Sequence, residues 1–319
     1  MLPNASPNHG ARTLSTPLRR QAATLLVATV GALCLISVPA GLLAGGMGAV
    51  AVWAVCGGPA HVDPRLRNTA FVALGVLLGS AASPETISSL PRWPWTLAAL
   101  GICLALLMTV IPAYLSRVGG LDRMTAQLAA VPGALSYVLA VSETTGADVR
   151  RVTLLQSLRL SLLVFLVPFL VGPFAGGTAG EAAQTVTPAA QLPLLHAAAL
   201  LAVCGLTGLA GHACRVPAPF LVVPMGTACV AYMTGIVEGQ LPDWIAGPAL
   251  VFAGAAIGSR FAGTDARYLL SSLRLGVMAM VLASVISFAC AYPAAVWLEL
   301  PLIQVWLAFA PGGLDTMTV

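Results

Sequence analysis

Residues 95–115, WTLAALGICLALLMTVIPAYL, run for 21 positions without a charged side chain. About 20 apolar residues span the hydrocarbon core of a bilayer, so this stretch reads as a membrane helix. The rest of the chain agrees. Of its 319 residues 58% are hydrophobic and only 8% charged, against roughly 25% charged in a soluble domain. Too few charges remain to cover a soluble surface, and the predicted class is an all-α, polytopic integral membrane protein.

Eleven apolar segments emerge from the same pattern, at about 22–38, 40–56, 68–83, 95–115, 123–142, 152–174, 192–211, 217–236, 244–259, 275–296 and 301–319. A polar tail (1–21) precedes them and a Gly- and Thr-rich linker (175–191) divides them. Apolar sequence continues from Ala22 almost to Cys56, which favours a first membrane helix over a cleaved signal peptide.

The two halves repeat one another. Pro39/Pro217, Met47/Met225 and Gly48/Gly226 are 178 residues apart, while Gly75/Gly254, Gly79/Gly258, Ser80/Ser259, Leu121/Leu300 and Pro132/Pro311 are 179 apart. A constant offset carried by Gly and Pro marks an internal duplication of 22–174 as 192–319.

All 15 basic residues are arginine, in a chain of net charge +4. Basic loops report membrane orientation, the positive ones facing the cytoplasm. If the N-terminus is cytoplasmic, Arg65, Arg67, Arg117 and Arg123 fall on inside loops of the first half. In the second half Arg215, Arg260 and Arg267 come after its first and third segments, so the bias lies on the opposite set of loops. Both halves obey the rule if the second is inverted; parallel repeats remain the alternative.

Each half also carries a helix-breaker: AAVPGALSYV at 129–138 and AFAPGGLDTM at 308–317. Proline removes a backbone donor and clashes with the preceding turn, and glycine loosens the next one. Within a membrane, freed backbone groups are tolerated only against protein or a water-filled cavity. Paired breaks at matching positions point to a transporter's substrate or ion site. A re-entrant hairpin or half-helix at each break is expected, the alternative being a mere kink.

The segments AVPGALSYVLAVSETTGADVRRVTLLQSLRL (130–160) and APGGLDTMTV (310–319), with PMG at 224–226, resemble the signature segments of the membrane AbrB family. Its members carry names such as "AbrB family transcriptional regulator" or "ammonia monooxygenase". The resemblance runs from about residue 25 to the end, and implies functional roles for Pro132, Gly133, Ser136, Gln156 and Arg159, with Pro311, Gly312 and Gly313. Tyr137 and Thr316 stand where the family tends to have Glu, and Ala134 replaces a usual Gly, so ion coupling would need another acid, Glu143 or Asp315. The first repeat continues 42 residues past Pro132, the second only eight past Pro311, and the expectation is a second repeat lacking its last helix.

Arg159 is the sharpest candidate. An arginine in the bilayer core costs at least ~2.5 kcal/mol, so it should face the bundle interior and find a partner. It would bind an anionic substrate, pair with a carboxylate, or else snorkel to the interface with Arg150 and Arg151. Asp315 would bind a cation or proton, or cap the second half-helix. Gly75/Gly79 and Gly254/Gly258 are G-x-x-x-G pairs that close helix packing would explain.

An oxygenase needs a metal, yet His9, His61, His196 and His212 are scattered and the seven cysteines form no Cys-x-x-Cys pair. A DNA-binding regulator needs a basic recognition element, and the polar tail offers three arginines without helical pattern. No nucleotide motif is present. The expectation is therefore a non-enzymatic secondary transporter without cofactor or metal, in a bacterial cytoplasmic (inner) membrane with its N-terminus cytoplasmic. Its partners would be the lipid bilayer, a small-molecule or ion substrate and, as a candidate, a second copy in a homodimer, with no direct nucleic-acid contact. The alternative is a membrane-embedded regulator of gene expression that acts indirectly, without transport.

Overall fold

A computed structural model describes residues 17–36, 41–82, 93–131, 138, 141–142, 144–171, 191–298 and 302–310. The helices are α1 (Pro17–Cys34), α2 (Gly41–Val55), α3 (Pro64–Gly79), α4 (Trp93–Arg117), α5 (Arg123–Ala130), α6 (Val149–Val171), α7 (Leu194–Ala213), α8 (Pro219–Met233), α9 (Asp243–Gly258), α10 (Ala266–Leu298) and α11 (Leu302–Phe309). A 3-10 turn, Ser259–Phe261, comes after α9, and among the described residues the sole extended pairing is an isolated Gln191–Gln240 bridge. The α4, α7 and α10 helices, and α9 with its 3-10 turn, are long and apolar enough to cross a membrane. Leu97, Ile102, Leu206, Val285 and Val296 stand exposed on α4, α7 and α10, an outward face suited to lipid.

Two boundaries differ from expectation. The first helix opens at Pro17, because proline's missing N–H costs nothing in a first turn; Arg19 and Arg20 thus belong to the helix, not to the tail. The α10 helix begins at Ala266 and takes in Arg267, expected in a loop.

Helix bounds recur at the offsets read from the sequence. Shifting α2 by 178 residues gives α8, and shifting α3 and α5 by 179 gives α9 and α11, end for end. The packing recurs as well. Gly75 and Gly79 lay α3 against the backbone of α8 at Leu221, Met225 and Ala228–Cys229. Gly254 and Gly258 lay α9 against α2 at Leu43, Met47 and Val50–Ala51, the same positions less 178. Removing the side chain lets two backbones touch, which is the use of G-x-x-x-G in membranes. Since the contacts advance together, α3 runs parallel to α8, and α9 to α2.

The pairing of α4 with α10 is antiparallel. Trp95 meets Trp297 edge-on at 5.2 Å, the Cys103 thiol reaches the Ser287 hydroxyl at 3.9 Å, and Gly119 abuts Leu275. As α4 descends α10 climbs. The loop after α2 stays at that helix's end, where Thr24 of α1 donates to the Pro59 carbonyl and accepts from the His61 N–H, at 3.1 and 3.0 Å.

Of the apolar clusters among the described residues, two hold the most buried side chains. One joins α2, α3, α8 and α9 through Leu43, Met47, Leu74, Leu221 and Ile257. The other joins α4, α5, α10 and α11 through Leu107, Ile111, Ala129, Ala294 and Phe309. Helix α6 touches both, with Val164 in the first and Leu155 in the second. These pairings gather the charges at the ends. Arg20, Arg65, Arg67, Arg117, Arg123, Arg150, Arg151, Arg215, Arg260 and Arg274 share one end of the bundle, while the other holds Glu238 and Asp243 and, among the described residues, no arginine.

Candidate functional site

Both Pro-Gly elements are preceded by a helix of eight residues, α5 and α11. At 1.5 Å per residue each is about 12 Å long, less than half the ~30 Å hydrocarbon core. Val131 leaves the α region, with φ −54° and ψ 122°, as the residue before a proline must. Helix α5 ends at Ala130, just before the proline of the expected break. Pro132, Gly133, Ser136, Pro311, Gly312, Gly313 and Asp315 lie outside the described residues, as do Tyr137, Glu143 and Thr316.

The start of α5 is pinned by polar contacts the sequence reading missed. The Asp122 carboxylate caps the helix, accepting from the Thr125 N–H at 3.0 Å. The fully buried Thr125 hydroxyl in turn accepts from the Asp148 N–H at 2.8 Å, tying α5 to the first turn of α6. Asp148 caps α6 through the Arg151 N–H at 3.1 Å, and Gly146 with φ +72° makes the turn into it. The cue was visible as Asp122-x-x-Thr125 and as Gly146-Ala147-Asp148 before an apolar run.

Hydrogen bonds from Thr125, its side chain first, hold the Asp122 carboxyl below its ordinary 3.8. A depressed carboxylate stabilises above its unfolded pKa, and the contribution disappears as pH falls through the folded value. Asp122→Ala is expected to lower stability by about 0.5–2 kcal/mol at neutral pH, and by less in strong acid, where the neutral carboxyl still accepts from Thr125 but the ionised cap is lost. Thermal melts of the detergent-solubilised protein at both pH values measure it; an equal loss at both would exclude the ionised cap.

The far end of α5 is where Gln156 and Arg159, the two predicted residues among those described, meet the backbone. A helix leaves its last four carbonyls unpaired and carries the negative end of its dipole there. Gln156 and Arg159, one turn apart on α6, supply the donors. Gln156 Nε2 donates to the Leu128 carbonyl at 2.9 Å, and Arg159 Nη1 and Nη2 donate to those of Ala130 and Val131 at 3.1 and 3.2 Å. Arg159 therefore does not snorkel. Arg150 stacks over Tyr268 at 4.4 Å and Arg151 pairs with Asp148 at 3.3 Å, whereas Arg159 turns into the bundle. Its Nε is buried and has no partner among the described residues.

Beside that guanidinium lies a cavity of about 40 Å³ between α4, α5, α6 and α10, walled by Leu107, Ile111, Ala130, Ala279, Met280 and Ala283 among others. Among the described residues Arg159 is its one charged wall residue. Of the described histidines, His196 is exposed and His212 packs on Phe220 at 5.6 Å. Among the described residues no three of His, Cys, Asp and Glu gather as a metal site would require.

The fold and site together define a helical membrane protein in which a part-buried arginine and a buried glutamine donate to the carbonyls at the end of an eight-residue helix. The model of one family, "Transition state regulatory protein AbrB", matches residues 42–319. The chain belongs to the AbrB family. It is 27% identical over 307 residues to "Putative regulator AbrB" of Escherichia coli (strain K12), covering 92% of this chain and 84% of that protein. It is also 27% identical over 278 residues to "Uncharacterized protein YhjN" of Bacillus subtilis (strain 168), covering 80% and 70%. No solved structure matches it.

Proposed function

We propose that the chain is a multi-pass, transporter-like protein of the bacterial inner membrane, built from two inverted repeats and binding its solute beside the clamped end of α5. The antiparallel packing of α4 on α10 carries this reading. These helices hold equivalent places in the two halves, and parallel repeats would run them the same way. The parallel pairs α3–α8 and α2–α9 agree, since each joins non-equivalent helices. The arginine-rich end favours a cytoplasmic N-terminus. A broken helix at the interface of inverted repeats is where secondary transporters bind substrate and ions. The protein would move a solute rather than transform it, and any regulatory effect, such as the Escherichia coli relative's name ascribes to that protein, would stem from the solute moved.

Native cysteines test the architecture. Cys34 ends α1, while Cys56 and Cys214 come just after α2 and α7; all three are exposed. In single-cysteine variants an impermeant maleimide should label Cys34 only from the periplasmic side, and Cys56 and Cys214 only from the cytoplasmic side. Labelling of Cys34 and Cys214 from the same side would mean parallel repeats. In the same vesicles, Met280→Cys on the cavity wall separates transporter from scaffold: labelling from both sides fits alternating access, and labelling from neither fits a packed scaffold.

A further inference from the structure

The seam between α4 and α10 brings together two thiols that lie far apart in the chain. Trp95 meets Trp297 near one end of the seam, and Gly119 abuts Leu275 near the other. Between these fixed points the two antiparallel helices pass one another residue for residue, because both rise by about 1.5 Å per residue. That register brings Cys103 level with Cys290. The side chains agree. Cys103 is fully buried in the core that α4 shares with α10, and Cys290 packs against the same cluster. The Cys103 thiol lies within hydrogen-bonding reach of the Cys290 thiol and donates to the Ser287 hydroxyl at 3.9 Å.

The seam is narrow enough for a bond between them. On α10 the residues buried here are small, Ala283, Ala291 and Ala294 with Ser287, and small side chains let helices close up. Axes about 8–10 Å apart, with Cα atoms about 2.3 Å off each axis, leave facing Cα atoms about 3.5–5.5 Å apart. That span overlaps the roughly 4.4–6.8 Å of a disulfide. Position selects the oxidant. Cys103 is ten residues from Trp93 and fourteen from Arg117, about 15 and 21 Å from the two ends of α4. Charged oxidants such as oxidised glutathione are costly to bring to that depth, whereas a quinone dissolves in the bilayer. Cys290 is half-buried and sits on α10 between the exposed Phe288 and Tyr292, so one sulfur of the pair is open to a lipid-soluble reagent.

We propose that Cys103 and Cys290 form a redox pair, closed to a disulfide across the α4–α10 seam by a lipid-soluble quinone. Two S–H bonds break and one S–S bond forms. The two electrons and two protons pass to the quinone, which leaves as the quinol. Closure ties α4 of the first half to α10 of the second, so the oxidised protein has its two halves fastened at mid-membrane. The assignment needs the seam and not the cavity, and it stands whatever solute the protein carries.

The test uses the full chain, reduced and reconstituted in phospholipid vesicles, then treated with a short-chain ubiquinone or with oxidised glutathione. The ubiquinone ring is fully substituted and so does not add to thiols. After denaturation the free thiols are alkylated and the peptides mapped by mass spectrometry. The quinone should remove Cys103 and Cys290 from the alkylated pool together, in a cross-linked peptide that dithiothreitol reopens. Their loss should be at least about tenfold faster than with oxidised glutathione, which cannot reach them. The exposed Cys34, Cys56 and Cys214 should show the opposite preference. In the Cys290→Ala protein, Cys103 should stay free for alkylation after the quinone. Cross-linking of the pair by neither oxidant, equal loss of Cys103 from the Cys290→Ala protein, or glutathione acting on the pair as fast as the quinone would overturn the proposal.

Discussion

Replacing Arg159 by methionine is expected to leave a folded protein whose broken helix has come loose. Two effects on stability oppose one another. A centrally placed arginine costs about 2.5–3.5 kcal/mol to insert, which methionine recovers. Against this, the Ala130 and Val131 carbonyls lose their donors, and buried orphaned acceptors cost about 1–3 kcal/mol each. The balance runs from about 1.5 kcal/mol of gain to about 3.5 kcal/mol of loss, so the melting temperature should fall by less than the two orphaned acceptors alone would cause. Local order is another matter, because the end of α5 keeps only the Gln156 contact to Leu128. Amide exchange in residues 127–131 should rise at least tenfold while that in α3 stays unchanged. Arg159→Lys keeps the charge, but one ammonium cannot reproduce a planar fork on two successive carbonyls, so partial loosening is expected. Unchanged exchange in Arg159→Met would refute the clamp.

The glycine seams carry the largest expected loss of stability. A methyl group on Gly79 would stand 2.7 Å from the Met225 carbonyl oxygen and 2.6 Å from the Ala228 methyl. On Gly258 it would run into the Met47 carbonyl and come within 3.0 Å of Val50 Cβ. Both sets of obstacles are backbone or short side chains held by their own helices, so the helices themselves must separate. Overpacking of this kind costs about 1–3 kcal/mol per site. Gly79→Ala and Gly258→Ala lie in different helix pairs and should add, so the double variant loses about 2–6 kcal/mol, much of a typical margin. Gly205 and Gly226 serve as controls, having nothing within 4 Å of such a methyl. There alanine should be neutral or stabilise by up to about 1 kcal/mol through helix propensity. Thermal melts compare the four, and a neutral Gly258→Ala would argue against close packing of α9 on α2.

Gly226 is instructive for another reason, because it belongs to the PMG stretch that resembles the family, yet it is exposed. Its duplicate spacing was visible in the sequence; its surroundings were not. The same division runs through the site. Arg159 and Gln156 were identifiable because an arginine and an amide inside an apolar run are costly wherever they point. The capping residues Asp122, Thr125 and Asp148 escaped notice although their local pattern was present, since a cap binds groups that every helix has and so carries no mark of function.

Local chemistry decided what each segment is. Length and apolarity made the membrane helices, proline ended α5 at Ala130, and the bounds of α8, α9 and α11 match those of α2, α3 and α5 at the offsets visible in the sequence. Those are properties of neighbouring residues, and a one-dimensional string holds them in full. Tertiary packing decided what each segment meets. The sequence left Arg159 three destinations: an anionic ligand, a carboxylate or the interface. The fold gave its terminal nitrogens backbone carbonyls 28 and 29 residues away, because the turn through Gly146 and the Thr125–Asp148 bond set α6 beside α5. Likewise the direction of α4 against α10 appears only once Trp95 meets Trp297. A helix has the same hydropathy read from either end, so hydropathy alone cannot supply that direction.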